Sequence, residues 1–395
     1  MSAVLLDRLG GAVPLPSARH GLDAWLCGAV VVLLGWGLIM VASASVAQAE
    51  KLTGDAFHFF YRQLLFVGLG AALGGLMYCL PMRAWQHTSV PLYLFALLLL
   101  VLVLVPGIGI TVNAARRWID LGVFRLQASE PARLALVVFL AGYISRRQAA
   151  LQNTLKGLLL PLLALLLPCG LLLMEPDFGA TAILMGVAFL MLFLGGARVG
   201  YYLGFAALGG GALAALALAE PYRLRRVLNF MNPWADVENG GWQLAQSLIA
   251  VGRGEWTGVG LGNSVQKLLY LPEMHTDFIF AILAEELGLA GIGVLIALFG
   301  VIVWRGFAIG RTAEVNGRLF PAYLAYGLTG WIGLQALVNM AVNLGLLPTK
   351  GLTLPLLSYG GSSLLTVCAM LGLILRVDYE NRAAGFSVTP AEYQP

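Results

Sequence analysis

Apolar residues in this chain gather into runs of about 20, long enough to cross a hydrocarbon layer about 30 Å thick as a helix. The runs fall at about 22–46, 57–80, 90–106, 128–145, 156–174, 178–196, 199–219, 277–304, 320–345 and 354–377. This pattern predicts an all-α polytopic membrane protein with ten transmembrane helices. Its membrane domain would cover residues 22–377, flanked by tails 1–21 and 378–395. The fifth and sixth spans are parted only by the turn MEPDFG, whereas residues 220–276 form a large loop between helices 7 and 8. A connection of that length is functional or disordered. Its amphipathic pieces YRLRRVLNFMNP and WQLAQSLIAVG predict short surface helices, the first basic enough to suit an anionic membrane interface.

Composition agrees with the pattern. With 59% hydrophobic and 11% charged residues, and a mean hydropathy of +0.83, a soluble two-domain protein is excluded. Cys27, Cys79, Cys169 and Cys368 lie in the predicted spans without metal-ligand spacing and read as small apolar residues. VASASVAQAE at 41–50 looks like a signal-peptidase site, but the run before it is too long for a cleaved signal and reads as a retained anchor. The isoelectric point of 8.9 reflects basic residues near membrane surfaces and does not point to nucleic acid.

With ten spans, both termini share one side. Counting Lys and Arg over all loops gives 12 on each side; leaving out 220–276, as the orientation rule for long loops requires, gives 12 against 7 in favour of cytoplasmic termini. The opposite face then holds 14 of the 20 carboxylates. Acids are costly near hydrocarbon, so this excess asks for an explanation.

Four clusters supply the candidates. In VNAARRWIDLGVFRLQASEPARLAL, Arg116, Arg117 and Trp118 lie in a loop, Ser129 is placed to cap the fourth span, and Glu130 and Arg133 share a helical face. In MEPDFGATA, Glu175 and Asp177 flank a proline at a helix start, where capping explains much of their presence. In YLPEMHTDFIFAILAEELG, Thr276 reads as a helix-start residue, Asp277 falls in the first turn, and His275 precedes them. Glu285 and Glu286 follow two to three turns inside the span and need partners or water. NLGLLPTKGLTLPLLSYGGSSLLTV breaks the apolar pattern at membrane depth around Lys350 and Ser358, a break tolerated only where backbone is buried in protein or lines a cavity. A carboxylate among cations suits a general base acting on a hydroxyl near an anionic, phosphate-bearing lipid. GVGLGNS lacks the βαβ setting of a dinucleotide fingerprint, and no Walker loop, zinc signature or Ser-His-Asp order is present. These residues alone leave open a lipid flippase and a recruiting scaffold. The outward placement of the charges disfavours the first, and charges inside the spans disfavour the second.

VNAARRWIDLG, QASEPAR, EPDFGAT, YLPEMHTDFIFAILAEELG and LPTKGLTLPLLSYGGSSLL, in this order, resemble the SEDS family (shape, elongation, division and sporulation) of bacterial membrane proteins. The resemblance covers about residues 22–382 and is stronger to the division member than to the elongation member. It implies a ten-span, inverting peptidoglycan glycosyltransferase in the cytoplasmic (inner) membrane at the septum. Such an enzyme polymerises undecaprenyl-diphosphate-linked lipid II into β-1,4 glycan strands outside that membrane. The implied partners are a class B penicillin-binding transpeptidase of the FtsI type and other divisome membrane proteins. Asp277 matches the family's essential aspartate, Asp177 the acid of its PDFG turn, and Glu130 with Arg133 its Glu–Lys pair. Arg at 133 keeps the charge but not the shape. NAARRW and QASE stand where members often have NGARRW and QPSE, so Ala114 and Ala128 alter the loop geometry. Arg116, Arg117, Glu130, Arg133, Asp177, Lys267, His275, Thr276, Glu285, Lys350 and Ser358 are the expected substrate-binding set. A divalent cation, Mg or Mn, is the one cofactor the diphosphate chemistry leaves room for.

Overall fold

Backbone polar groups in hydrocarbon must be satisfied within the segment, so apolar runs of this length fold as helices. The computed structural model describes residues 21–112, 115–120, 122, 125–219, 230–236 and 241–385. Ala114 and most of the basic piece at 222–233 lie outside the described residues.

Helix α1 (Ala24–Thr53) starts at Asp23, whose Oδ1 accepts from the Leu26 N–H at 2.8 Å, and ends at the left-handed Gly54. It is followed by α2 (His58–Cys79), the short α3 (Met82–His87) and α4 (Ser89–Leu104). Next come strands β1 (Gly109–Val112), β2 (Ala115–Asp120) and β3 (Arg125–Gln127), then α5 (Ser129–Asn153), α6 (Leu155–Met174), α7 (Phe178–Leu194) and α8 (Val199–Ala219). A 3₁₀ turn (Pro233–Asp236) and α9 (Trp242–Gly254) precede the long α10 (Ile279–Val315), α11 (Leu319–Asn343) and α12 (Gly361–Ala383). Among the described residues, seven helices are long and apolar enough to cross a membrane, and α4 and α7 are shorter apolar helices. The chain is therefore a mostly helical, multi-pass membrane protein. Helix α11 falls outside the seven although it has 25 residues; Trp331, Gln335, Asn339 and Asn343 give it a polar stripe.

Helices α10 and α11 form the centre, with α1 and α12 against α10, α5 and α7 against α11, and α2 against α12. The α2–α12 contact is backbone to backbone: a Cβ on Gly372 would lie 2.2 Å from the Gly74 carbonyl oxygen.

Three expectations need correction. The fold is not wholly α, because residues 109–127 form an antiparallel sheet in the order β1-β2-β3, pairing Ile110 with Trp118 and Trp118 with Gln127. Strands of three to six residues carry too little alternation to be read against an apolar background. Ser129 does not cap α5; Ala128 occupies the cap, and the Ser129 hydroxyl turns to side chains. Asp277 and Thr276 lie before the first turn of α10, whose cap is Phe278.

Helix α10 is also interrupted. Gly288, at φ 63° and ψ −161°, splits it into 279–287 and 289–315. The backbone groups this break frees are met by the segment just before it. Val259 and Gly260 N–H groups donate to the Glu285 and Glu286 carbonyls at 3.0 Å each, and Leu289 and Ala290 donate to Glu255 and Trp256 at 2.9 and 3.0 Å. Irregular backbone is thereby buried in protein, as membrane depth requires. Only glycine fits the break: a Cβ at 288 would fall 2.4 Å from the Gly258 nitrogen.

Candidate functional site

The expected site residues fall into three groups. The first surrounds the start of α5. Arg133 and Glu130 form an ion pair at 3.0 Å, nearly closed to solvent, because positions three apart share a helical face. The Arg133 Nη2 also lies 3.5 Å from the Ser129 hydroxyl, which in turn lies 3.5 Å from Asp177 Oδ2, and its guanidinium stacks 5.3 Å from the Trp331 ring. Asp177 caps α7, with Oδ1 accepting from the Ala180 N–H at 3.1 Å. Arg117 donates from Nε to the Glu175 carbonyl at 3.0 Å, which fastens the sheet to this turn. Arg116 instead donates to the Leu104 carbonyl at 3.1 Å, at the end of α4.

Glu175, which the expected set omitted, is fully buried, and neither carboxyl oxygen has a hydrogen-bond partner among the described residues. Burial, with the nearby Asp177 charge, pushes its carboxyl up to about 9 against the opposing pull of Arg117 and Arg133. It is a neutral acid at physiological pH.

The second group surrounds Asp277. Its carboxylate faces Gly351, where a Cβ would lie 3.0 Å from Oδ2, so the glycine lets the 344–360 break come this close. Lys350, the preceding residue, sits 4.3 Å from the Phe178 ring centroid and so links this break to the Asp177 turn. The Asp277 carbonyl accepts from Asn339 and Asn343 at 3.0 and 3.1 Å. Thr276 donates to Glu273 Oε2 at 2.8 Å. His275 is buried against the Phe59 and Tyr359 rings, at 4.6 and 5.5 Å, its Nδ1 without a partner among the described residues, and burial holds its imidazole below the usual range against the pull of Glu273. Ser358 serves the turn itself, its hydroxyl accepting from the Leu354 N–H at 2.8 Å while its carbonyl accepts from Gln63 at 3.2 Å.

The third group, Lys267 and Glu285, lies along the inner part of the 279–287 half-helix, away from Asp277. Glu285 accepts from Arg253 Nη1 at 3.0 Å, from the Val265 N–H at 3.1 Å and from the Ser264 hydroxyl. Glu286 accepts from Lys267 and from Ser43 of α1, at 3.0 and 2.7 Å. These carboxylates find the partners their depth demands in Ser43 and in the 253–267 segment, which folds back against the half-helix. Lys267 and Ser43 edge a mostly apolar cavity of about 540 Å³ between α1 and residues 261–268.

The first two groups are joined. Gln127 N–H donates to the Ser362 hydroxyl at 3.1 Å, and that hydroxyl donates to the Arg125 carbonyl at 3.1 Å, so the sheet meets the start of α12. Trp331 donates to Gln335 at 3.0 Å, and Gln335 donates to the Thr353 carbonyl at 3.0 Å. A polar, cation-bearing centre thus lies where α5, α7, α10, α11 and the 344–360 break come together.

The chain matches the family described as cell cycle protein, FtsW/RodA/SpoVE, over residues 24–383. It belongs to that family. It is 52% identical over 364 residues to the probable peptidoglycan glycosyltransferase FtsW of Thioalkalivibrio sulfidiphilus, covering 92% of this chain and 91% of the relative. Identity to the protein of the same name from Nitrosococcus halophilus is also 52%, over 95% of both chains. Among solved structures, a chain of a peptidoglycan synthase complex that coordinates polymerization and crosslinking is similar at a TM-score of 0.73 and 31% identity, over 95% of this chain and 99% of that one. The Thermus thermophilus rod shape determining protein RodA is similar at a TM-score of 0.68 and 31% identity, covering 92% and 98%.

Within this FtsW/RodA/SpoVE fold, sequence reading singled out Glu175 only as a helix-start acid and missed Ser43, Gln335, Asn339 and Asn343. The last three, with Trp331, recur every four residues on α11, a spacing that puts them on one face. No group of three or more His, Cys, Asp or Glu among the described residues is placed to hold a metal ion.

Proposed function

We infer that this chain is a septal peptidoglycan glycosyltransferase that polymerises lipid II into β-1,4 glycan strands, with Asp277 as its general base. The observation that carries the reading is the setting of Asp277. Its carboxylate is aimed at the 344–360 break, its main chain is tied down from α11, and Lys350, next in the chain to the facing Gly351, lies over the Phe178 ring. The relatives named above as peptidoglycan glycosyltransferases, about half identical over nearly the full length, support the reaction class.

In the reaction, the acceptor sugar hydroxyl gives its proton to Asp277 as its oxygen attacks the donor's anomeric carbon. The bond from that carbon to the diphosphate breaks as the new glycosidic bond forms. An α-linked donor gives a β-linked product. The lipid diphosphate leaves with the electron pair, and Lys350 and Arg117 stabilise its charge. The Glu130–Arg133 pair and Asp177 shape the cavity wall. Lys267 and Glu285 act at a distance, fixing the segment that leads into Asp277.

The apolar helices fit ten spans, counting α1, α2, α4–α8 and α10–α12, with 220–276 as a periplasmic loop and both tails in the cytoplasm. The site then opens at the outer face of the inner membrane. A class B penicillin-binding transpeptidase is the partner, since a structural relative is a chain of a complex that couples polymerization to crosslinking.

The test is strand synthesis by the purified protein with its partner transpeptidase and lipid II, resolved on a gel. Glycan ladders that survive inactivation of the transpeptidase support the reading. Lipid II translocated across vesicles with no strands formed would make the chain a flippase.

A further inference from the structure

A buried carbonyl needs a donor. That of Asp277, just before helix α10, accepts from two side chains. Asn339 and Asn343 sit one turn apart on α11 and direct both their Nδ2 groups to it, at 3.0 and 3.1 Å. Both asparagines are essentially closed to solvent.

Asn339 does more than satisfy one carbonyl. The same Nδ2 donates to the Leu352 carbonyl at 2.5 Å, so a single amide holds the residue that bears the carboxylate and the strand of backbone that follows Lys350 and Gly351. These two segments are the ones brought face to face at the Asp277 carboxylate. Four residues earlier, Gln335 holds the Thr353 carbonyl and Trp331, and Trp331 carries the Arg133 guanidinium. One face of α11 therefore registers the Glu130–Arg133 pair, the 344–360 break and the Asp277 turn against one another.

We propose that Asn339 is a positioning residue for the transfer reaction: its amide clamps the Asp277 turn to the Leu352 carbonyl and so fixes the distance from base to substrate cavity. This rests on the reading of Asp277 as general base. The physical basis is that a shift of about 1 Å in a reacting group costs on the order of 10²-fold in rate, while uniform binding is little changed. A merely structural polar residue would instead lower the amount of folded protein.

The experiment measures kcat and KM for lipid II with the full chain and its partner transpeptidase, together with thermal unfolding. The variants are Asn339→Leu, which keeps the volume without a donor, and Asn339→Gln, which restores an amide. For Asn339→Leu we expect kcat to fall roughly tenfold to a hundredfold, with KM changed by less than about threefold. Asn339→Gln should recover part of the loss. Full kcat in Asn339→Leu overturns the clamp, as does a loss tracking the unfolded fraction that Gln does not repair. If neither variant folds, Asn339→Ser takes their place, since its smaller polar side chain is too short to reach both carbonyls. A selective fall in its kcat supports the clamp, and an unchanged kcat overturns it. Asp277→Asn is run in parallel: full activity there removes the general base itself, whereas an inactive Asp277→Asn beside an active Asn339→Leu removes only the clamp.

Discussion

The Arg133 guanidinium lies between the Glu130 carboxylate, 3.0 Å away, and the Trp331 ring, with its Nε and Nη1 making no hydrogen bond among the described residues. The pair is buried, so removing one partner strands the other. Glu130→Ala should lower stability by about 3–5 kcal/mol, well beyond the roughly 0.2–1 kcal/mol of an exposed pair. Thermal unfolding in detergent measures it. The exchange Glu130→Arg with Arg133→Glu should recover only part of the loss, because Glu cannot stack on Trp331. Unaltered unfolding in Glu130→Ala would show that the pair carries nothing.

Asp277→Asn retains size and hydrogen-bonding capacity but cannot take a proton. Its carbonyl is held by the α11 asparagines through the main chain, so the fold and partner binding should persist. Strand synthesis should fall by a factor on the order of 10²–10⁴. Synthesis at the unmutated rate would move the base elsewhere, with His275 next in line as a neutral, buried imidazole whose Nδ1 has no partner among the described residues.

Glu175 makes the folded state pH-dependent. Its folded value of about 9 lies above the ordinary 4.5, so below about pH 4.5 the acid is protonated in both states and folding carries no penalty from it. Between 4.5 and 9 the unfolded chain ionises while the folded one does not, and stability declines with rising pH; above about 9 the slope ends. Glu175→Gln keeps the neutral shape. It should raise the unfolding temperature at pH 8 more than at pH 5, and equal shifts at both would refute the assignment.

Topology is open to cysteine labelling. Asn232 and Asn153 are both exposed. In a background lacking native cysteines, Asn232→Cys should react with an impermeant reagent applied from the periplasm, and Asn153→Cys only after the inner membrane is permeabilised. The converse pattern would invert the orientation.

The helices were legible because hydropathy over twenty residues is a strong, redundant pattern. The Glu130–Arg133 contact was legible because spacing on a helix fixes which side chains meet. Other features depend on single residues or distant partners. One glycine in an apolar run, Gly288, gives no hint that α10 breaks there, since glycine is common in transmembrane helices. Glu285 and Glu286 announced a need for partners, but nothing local said that Arg253, Ser264 and Lys267 would fold back to meet them. Asn339 and Asn343 were hidden differently. Their spacing of four was plain, yet amides in a long apolar helix give no sign of which carbonyls they will reach.

The 253–267 segment also bears on how the chain enters the membrane. A carboxylate at the middle of an inserting helix costs about 2.5–3.5 kcal/mol on the translocon scale, and α10 brings two. Ser43, Arg253, Ser264 and Lys267 all precede Glu285 and Glu286 in the chain, so among the described residues the side chains that neutralise or bind these acids are synthesised before they are. Vectorial synthesis thus delivers the receptor for each charge ahead of the charge. A circularly permuted chain that began at residue 270 would reverse this order, leaving α10 to meet the translocon with both acids bare.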